Sequence, residues 1–139
     1  MKKIAAVLAT AALMSGLAVA PAVQAKEKLT GEAKLAKMLE GREAGTPVDC
    51  IQLNQVHNTR VVDKTAIVYE VGSTLYVNRP TNADQLDDDQ IMVTKLHTSQ
   101  LCQIDTVQIH DRSMPSMWRG FVGLNEFIPY KRIKVAKAD

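Results

Sequence analysis

Along the middle of the chain, apolar and polar positions alternate with a period of two, the spacing of strands with one buried face. Thr65 to Val71 places Ile67, Tyr69 and Val71 on one side; Gly72-Ser73 has the Gly-first chemistry of a two-residue hairpin turn, and Thr74 to Asn78 returns. Arg60-Val61-Val62 is a short strand broken at Asp63-Lys64. Ile91 to Thr98 and Leu101 to Ile109 read as a second antiparallel pair, with a bulge near Asp105-Thr106 where the alternation changes phase. Gly120 to Leu124 and Glu126 to Ile133 supply the last strands, with a bend at Gly123, and Pro129 implies a sheet edge.

Ahead of this β region the period is that of a helix. Leu29 to Glu43 carries Leu35, Met38 and Leu39 on one stripe, Thr30 in a capping position, and Gly41 and Gly45 as stops before Pro47. Its other face is Lys and Glu, which suits a helix lying on a surface. One helix followed by six or seven short strands predicts a mainly β fold, a small antiparallel barrel or sandwich.

The first 25 residues have the pattern of an export signal. Lys2 and Lys3 precede an apolar run from Ile4 to Ala20, and Val23-Gln24-Ala25 offers small residues for cleavage after Ala25. The run is Ala-rich and shorter than the roughly 20 strongly apolar residues of a stable span. The expected location is therefore the periplasm or outside, with membrane contact only during export. The chain then divides into a signal peptide (1–25), a helix and linker (26–46), a β domain (47–133) and a basic tail (134–139).

Charge changes meaning once the signal is set aside. The chain has 17 Lys and Arg against 15 Asp and Glu; without Lys2 and Lys3, fifteen face fifteen. A neutral domain with few aromatics lacks the electrostatic footprint of a nucleic-acid binder. Lys131, Arg132, Lys134 and Lys137 near the end read as charges that discourage edge-to-edge strand pairing.

Cys50 and Cys102 are the only cysteines, and in an oxidising compartment a structural disulfide between them is expected. The alternatives are a redox-active pair, which usually has two residues between its thiols, and an intermolecular bridge. The disulfide would close 53 residues counted inclusively, worth about 4 kcal/mol in the loop-entropy treatment.

The segments CIQLNQV, RVVDKTAIVYEVGSTLYVNRP, SQLCQIDTVQI and RGFVGLNEFIPYKR together resemble a family of short secreted proteobacterial proteins of unknown function. The resemblance covers roughly Pro47 to Arg132 and rests on the two Cys contexts and the Gly-Leu-x-Glu-Phe-x-Pro-Tyr ending. It implies one mostly β unit; the family has no established activity to carry over, so no site residue is inherited and the function is left open.

Candidate chemistry is sparse. The acidic stretch Asp84 to Gln90 fails as a helix-loop-helix calcium loop, because the places needing Gly and Glu hold Asp89 and Lys95. A solvated loop anchored by Leu86 is expected instead. Ser73 and Ser99 sit outside any nucleophile elbow, and His57, His97 and His110 are scattered. His110, Met114, Met117 and Trp118 fall within nine residues. Thioethers and an imidazole suit Cu(I), and an indole face suits a bound cation. The same residue types also fill strand ends and make apolar protein contacts. The leading expectation is a non-catalytic binding or interaction module without a cofactor, meeting an envelope protein through Met114 to Trp118. Copper binding by the 110–118 loop is second, and a hydrolase with an unrecognised site is third.

Overall fold

A computed structural model describes residues 29–134; the signal-peptide assignment and most of the basic tail lie outside the described residues. The chain forms a three-layered mainly β sandwich. One helix, α1 (Gly31–Met38), precedes ten strands: β1 (Arg42–Ala44), β2 (Cys50–Gln52), β3 (Val56–Val62), β4 (Ala66–Val71), β5 (Thr74–Asn78), β6 (Gln90–Thr94), β7 (Gln100–Cys102), β8 (Thr106–Asp111), β9 (Trp118–Gly123) and β10 (Phe127–Arg132). They make three antiparallel sheets, ordered β1-β10-β5-β4-β3, β2-β7 and β6-β8-β9. Among the described residues no helix is long and apolar enough to cross a membrane.

The five-stranded sheet is the middle layer, and β4 shows why. Ile67 and Tyr69 enter a core with Ile51, Leu101, Val107, Ile109, Val122 and Phe127, which come from the opposing sheets and β10. The alternate residues Ala66 and Val68 enter a second core with Leu35, Val62, Leu75 and Val77 under the helix. A strand buried on both faces needs apolar residues at every position, as Ala-Ile-Val-Tyr supplies. Tyr69 meets Phe127 edge to face, ring centroids 5.7 Å apart.

Thr30 caps α1 as expected, its hydroxyl accepting from Ala33 N at 3.3 Å. Leu35 is buried, and Met38 and Leu39 pack on the same cluster. The helix is shorter than Leu29 to Glu43: it stops at Met38, the chain turns through Gly41 at φ +69°, and Arg42–Ala44, expected in helix and linker, pairs with β10 as sheet. Gly31 lies so close to the β3–β4 turn that a Cβ there would sit 2.0 Å from Thr65 Oγ1 and 2.3 Å from the Asp63 carbonyl.

Other expectations are corrected by sheet topology. Leu101 to Ile109 is two strands in two sheets, because Asp105 accepts the Cys102 N–H at 2.7 Å and turns the chain there. The bulge lies instead on β9: Ile109 opposes Gly120 while His110 opposes Trp118, leaving Arg119 extra. Gly120 has φ +148°, and a Cβ on it would stand 2.6 Å from Gln85 Oε1. Only glycine enters that backbone region without strain. Pro129 is not on an edge, since β10 lies between β1 and β5. Its carbonyl accepts from Gly45 N, so its missing N–H faces the end of three-residue β1, where only one ladder bond is lost. The basic strand β10 is thus interior, with Glu43 opposite Lys131.

Cys50 and Cys102 form the disulfide, facing each other in register with Cα atoms 4.0 Å apart. The neighbouring bond from Gln103 N to Asp49 O marks the Cys pair as non-hydrogen-bonded, the position where opposed Cα atoms lie closest. A ribbon of three residues a side is marginal alone. The covalent tie holds Ile51 and Leu101 in the core.

Candidate functional site

The two faces of the β6-β8-β9 sheet differ sharply. Val107, Ile109 and Val122 point inward and are buried. The alternate residues form cross-strand rows on the outer face: Val93–Gln108–Phe121, then Ile91–His110–Trp118. Among them Val93 is 36 % exposed, Phe121 50 % and Trp118 59 %. The connection from β8 to β9 adds Met114 at 51 % and Met117 at 43 %. Scattered exposed apolar residues are ordinary, whereas one contiguous group on a sheet face and its adjoining loop is a mark of contact surfaces.

The loop is braced from within. Met117 N donates to Met114 O at 2.8 Å and Asp111 N to Met117 O at 3.1 Å. Asp111 Oδ1 accepts from the N–H groups of Ser113 (2.7 Å) and Met114 (3.0 Å), an Asx-type turn. Its Oδ2 accepts from Arg119 Nε at 2.9 Å and from Arg119 Nη2. The Arg119 guanidinium first, then the two loop N–H groups, hold the Asp111 carboxyl below the usual aspartate range. The bulge that inserts Arg119 is therefore also what brings its guanidinium to the base of the loop.

His110 Nδ1 lies 2.8 Å from Pro115 O. A carbonyl only accepts, so Nδ1–H is the donor in this contact and Nε2 is the other ring nitrogen. Nε2 is buried and has no hydrogen-bond partner. The structure thus brings His110 against the loop bearing Met114, Met117 and Trp118, the four residues singled out from sequence. It adds Ile91 and Val93 from β6, which join through register, and Phe121 of β9, which the bulge at Arg119 turns to the same face as Trp118.

The remaining candidates separate. Leu86 anchors the acidic loop as expected, buried in the main core. Asp63, Asp87 and Asp88 bring carboxylate oxygens within 4.8 Å of one another. The Lys34 ammonium lies 3.0 Å from Asp63 and 3.6 Å from Asp88, and Asp63 also accepts the Asp88 N–H at 2.8 Å. This cluster braces the helix, the β3–β4 turn and the acidic loop. His97 and Asp105 line an open groove of about 330 Å³ with Thr98. Asp105 there holds the Cys102 N–H and Thr98 Oγ1 bonds Gln100.

No family model matches the chain, and no curated protein or solved structure shows significant similarity to it.

Proposed function

We propose that this protein is an exported, non-catalytic interaction module whose binding surface is the outer face of β6-β8-β9 with the 111–117 loop. The observation that carries this reading is the set of large apolar residues left in solvent on this one sheet: Val93, Phe121 and Trp118 on its outer face, and Met114 and Met117 in the connection between β8 and β9. Large, stiff apolar side chains are the groups that dominate protein contacts when they are covered. The braced loop supports the reading too, because a contact surface held rigid before binding loses less entropy when bound. The disulfide and the signal-like first 25 residues favour the periplasm or the exterior as the setting.

The test is affinity capture from an envelope extract with the wild type and with Trp118→Ser/Phe121→Ser, after thermal melting confirms that both are folded. The reading expects a reproducible partner retained by the wild type and lost by the variant. Identical retention by both, or none by either, contradicts it.

One observation favours copper as a second reading. Metal-ligating histidines commonly have one ring nitrogen fixed by a hydrogen bond so that the other presents its lone pair, and His110 has one ring nitrogen fixed in this way. Met114 and Met117 would supply soft donors. Titration with Cu(I) is expected to give one site per chain that is lost in His110→Ala and in Met114→Ala/Met117→Ala. Absent binding, or unchanged affinity in the variants, removes this reading.

A further inference from the structure

Among the described residues the two larger sheets have four edges, β1, β3, β6 and β9, and three of them are guarded. β1 is three residues long and carries Arg42 and Glu43. β3 is interrupted by a register shift between Val56 and Asn58, and it presents Arg60. The free edge of β9 is capped by a neighbouring segment: Asn82 bonds Phe121 O at 2.6 Å and Gly123 N at 3.2 Å, and Thr81 N donates to Gly123 O. These are the usual devices against unwanted strand pairing. β6, Gln-Ile-Met-Val-Thr, has none of them. It is uncharged, lacks proline, and runs in unbroken register with β8 from Gln90 to Thr94.

The side of β6 left open follows from β8. Asp111 N bonds Met117 O, and Leu124 N bonds Asp105 O, so odd residues of β8 direct their backbone groups toward β9 and even residues toward β6. Gln108 and His110 oppose Val93 and Ile91, which are therefore hydrogen-bonded to β8. Gln90, Met92 and Thr94 consequently direct their N–H and C=O groups to the free edge. Among the described residues, no backbone hydrogen bond outside the sheet ladders involves these three.

The charges beside this edge identify its occupant. Asp87, Asp88 and Asp89 precede the strand, and Lys95 and His97 follow it. An antiparallel copy of the strand, paired about Met92, sets Gln90 opposite Thr94, Ile91 opposite Val93 and, next to the strand ends, Asp89 opposite Lys95. Asp89 already pairs with Arg112 at 2.9 Å, but its side chain is 79 % exposed and open to a second cation. In this register all three open residues meet as hydrogen-bonded pairs. The Ile–Val and Asp–Lys pairs fall at the non-hydrogen-bonded positions, where side chains are closest.

We propose that a second copy of this chain pairs antiparallel with the first along β6, centred on Met92, to form a continuous six-stranded sheet β9-β8-β6-β6-β8-β9. The two-fold axis of such a pair is perpendicular to the sheet. Both apolar outer faces then lie side by side on one surface, and the dimer doubles the area offered for contact. The pairing rests on the edge and its flanking charges, independently of what the outer face binds.

Sedimentation equilibrium of the purified full chain across concentration tests this without any partner present. The expected result is a reversible monomer–dimer equilibrium. Thr94→Pro removes an N–H facing the free edge and should raise the dimer Kd by about tenfold or more, with the thermal melt unchanged. Lys95→Asp sets like charges opposite each other at both ends and should weaken the dimer about three- to tenfold. The exchange Asp89→Lys/Lys95→Asp restores opposite charges and should recover the wild-type Kd to within about threefold. A monomer at every concentration up to about 1 mM, or a dimer indifferent to both Thr94→Pro and Lys95→Asp, overturns the proposal.

Discussion

The chain contains two phenylalanines, one at each extreme of its environment. Phe127 lies in the five-stranded sheet, fully buried between layers. Phe121 lies in the three-stranded sheet and is half exposed. The difference extends to the sheets themselves. The five-stranded sheet is covered on one face by the helix and on the other by the smaller sheets. The three-stranded sheet has one covered face, and its outer face keeps Val93, Phe121 and Trp118 in solvent. The apolar residues of the core are thus separated in space from a second set that stays partly in solvent on one outer sheet face.

Substitutions that respect this division should differ by an order of magnitude in cost. Phe127→Ala is expected to cost about 3–5 kcal/mol, whereas Phe121→Ala should stay within about 0.5 kcal/mol; urea titration of the two variants side by side measures both. Equal costs would erase the distinction between the sheets. Reducing the disulfide, or Cys50→Ser/Cys102→Ser, should remove about 4 kcal/mol. Loss should be detected first as exchange of the β2-β7 amides, followed by hydrogen–deuterium exchange. Gly31→Ala forces the helix off the β3–β4 turn and should cost about 1–3 kcal/mol, read as a lower thermal midpoint, with the outer face of the three-stranded sheet undisturbed.

The smallest expected effect is local and depends on pH. Asp111 has a folded pKa below its ordinary value, so its stabilising contribution is present above the unfolded aspartate value of about 4. It fades as pH falls through the lower folded value. Acidification should therefore loosen the 111–117 loop before the core yields. Trp118, the sole tryptophan, reports this as a fluorescence change that precedes loss of the far-ultraviolet dichroism. The Arg119→Ala variant should shift the fluorescence transition to higher pH.

Much of the covered region was legible in the sequence, and the reasons are physical. The β4–β5 hairpin was readable because Val71 and Thr74 close directly on Gly72-Ser73, so local turn chemistry and apolar runs agree. The end of the helix was not, because Arg42 and Glu43 fit a polar helix face as well as a strand lying beside β10. Leu101 to Ile109 looked continuous because Ile104 keeps the apolar count high, yet that side chain is 86 % exposed on a turn. Pro129 misled as an edge signal, because β10 lies between β1 and β5 and the proline falls at the end of the three-residue β1, where its missing N–H costs one ladder bond. In the candidate surface, His110, Met114, Met117 and Trp118 were legible by proximity along the chain. Val93 was not, since only the pairing of β6 with β8 brings it to that face, and Phe121 shares the face of Trp118 only because of the bulge at Arg119.

The claim that the outer face serves contact rather than folding comes down to one paired experiment on Trp118→Ser/Phe121→Ser. Its unfolding free energy and its retention of envelope proteins should be measured against the wild type in the same preparation. The expected result is stability within about 1 kcal/mol of wild type, together with loss of the retained partner. A variant that unfolds, or one that keeps the same partner at the same level, would contradict the assignment of this face.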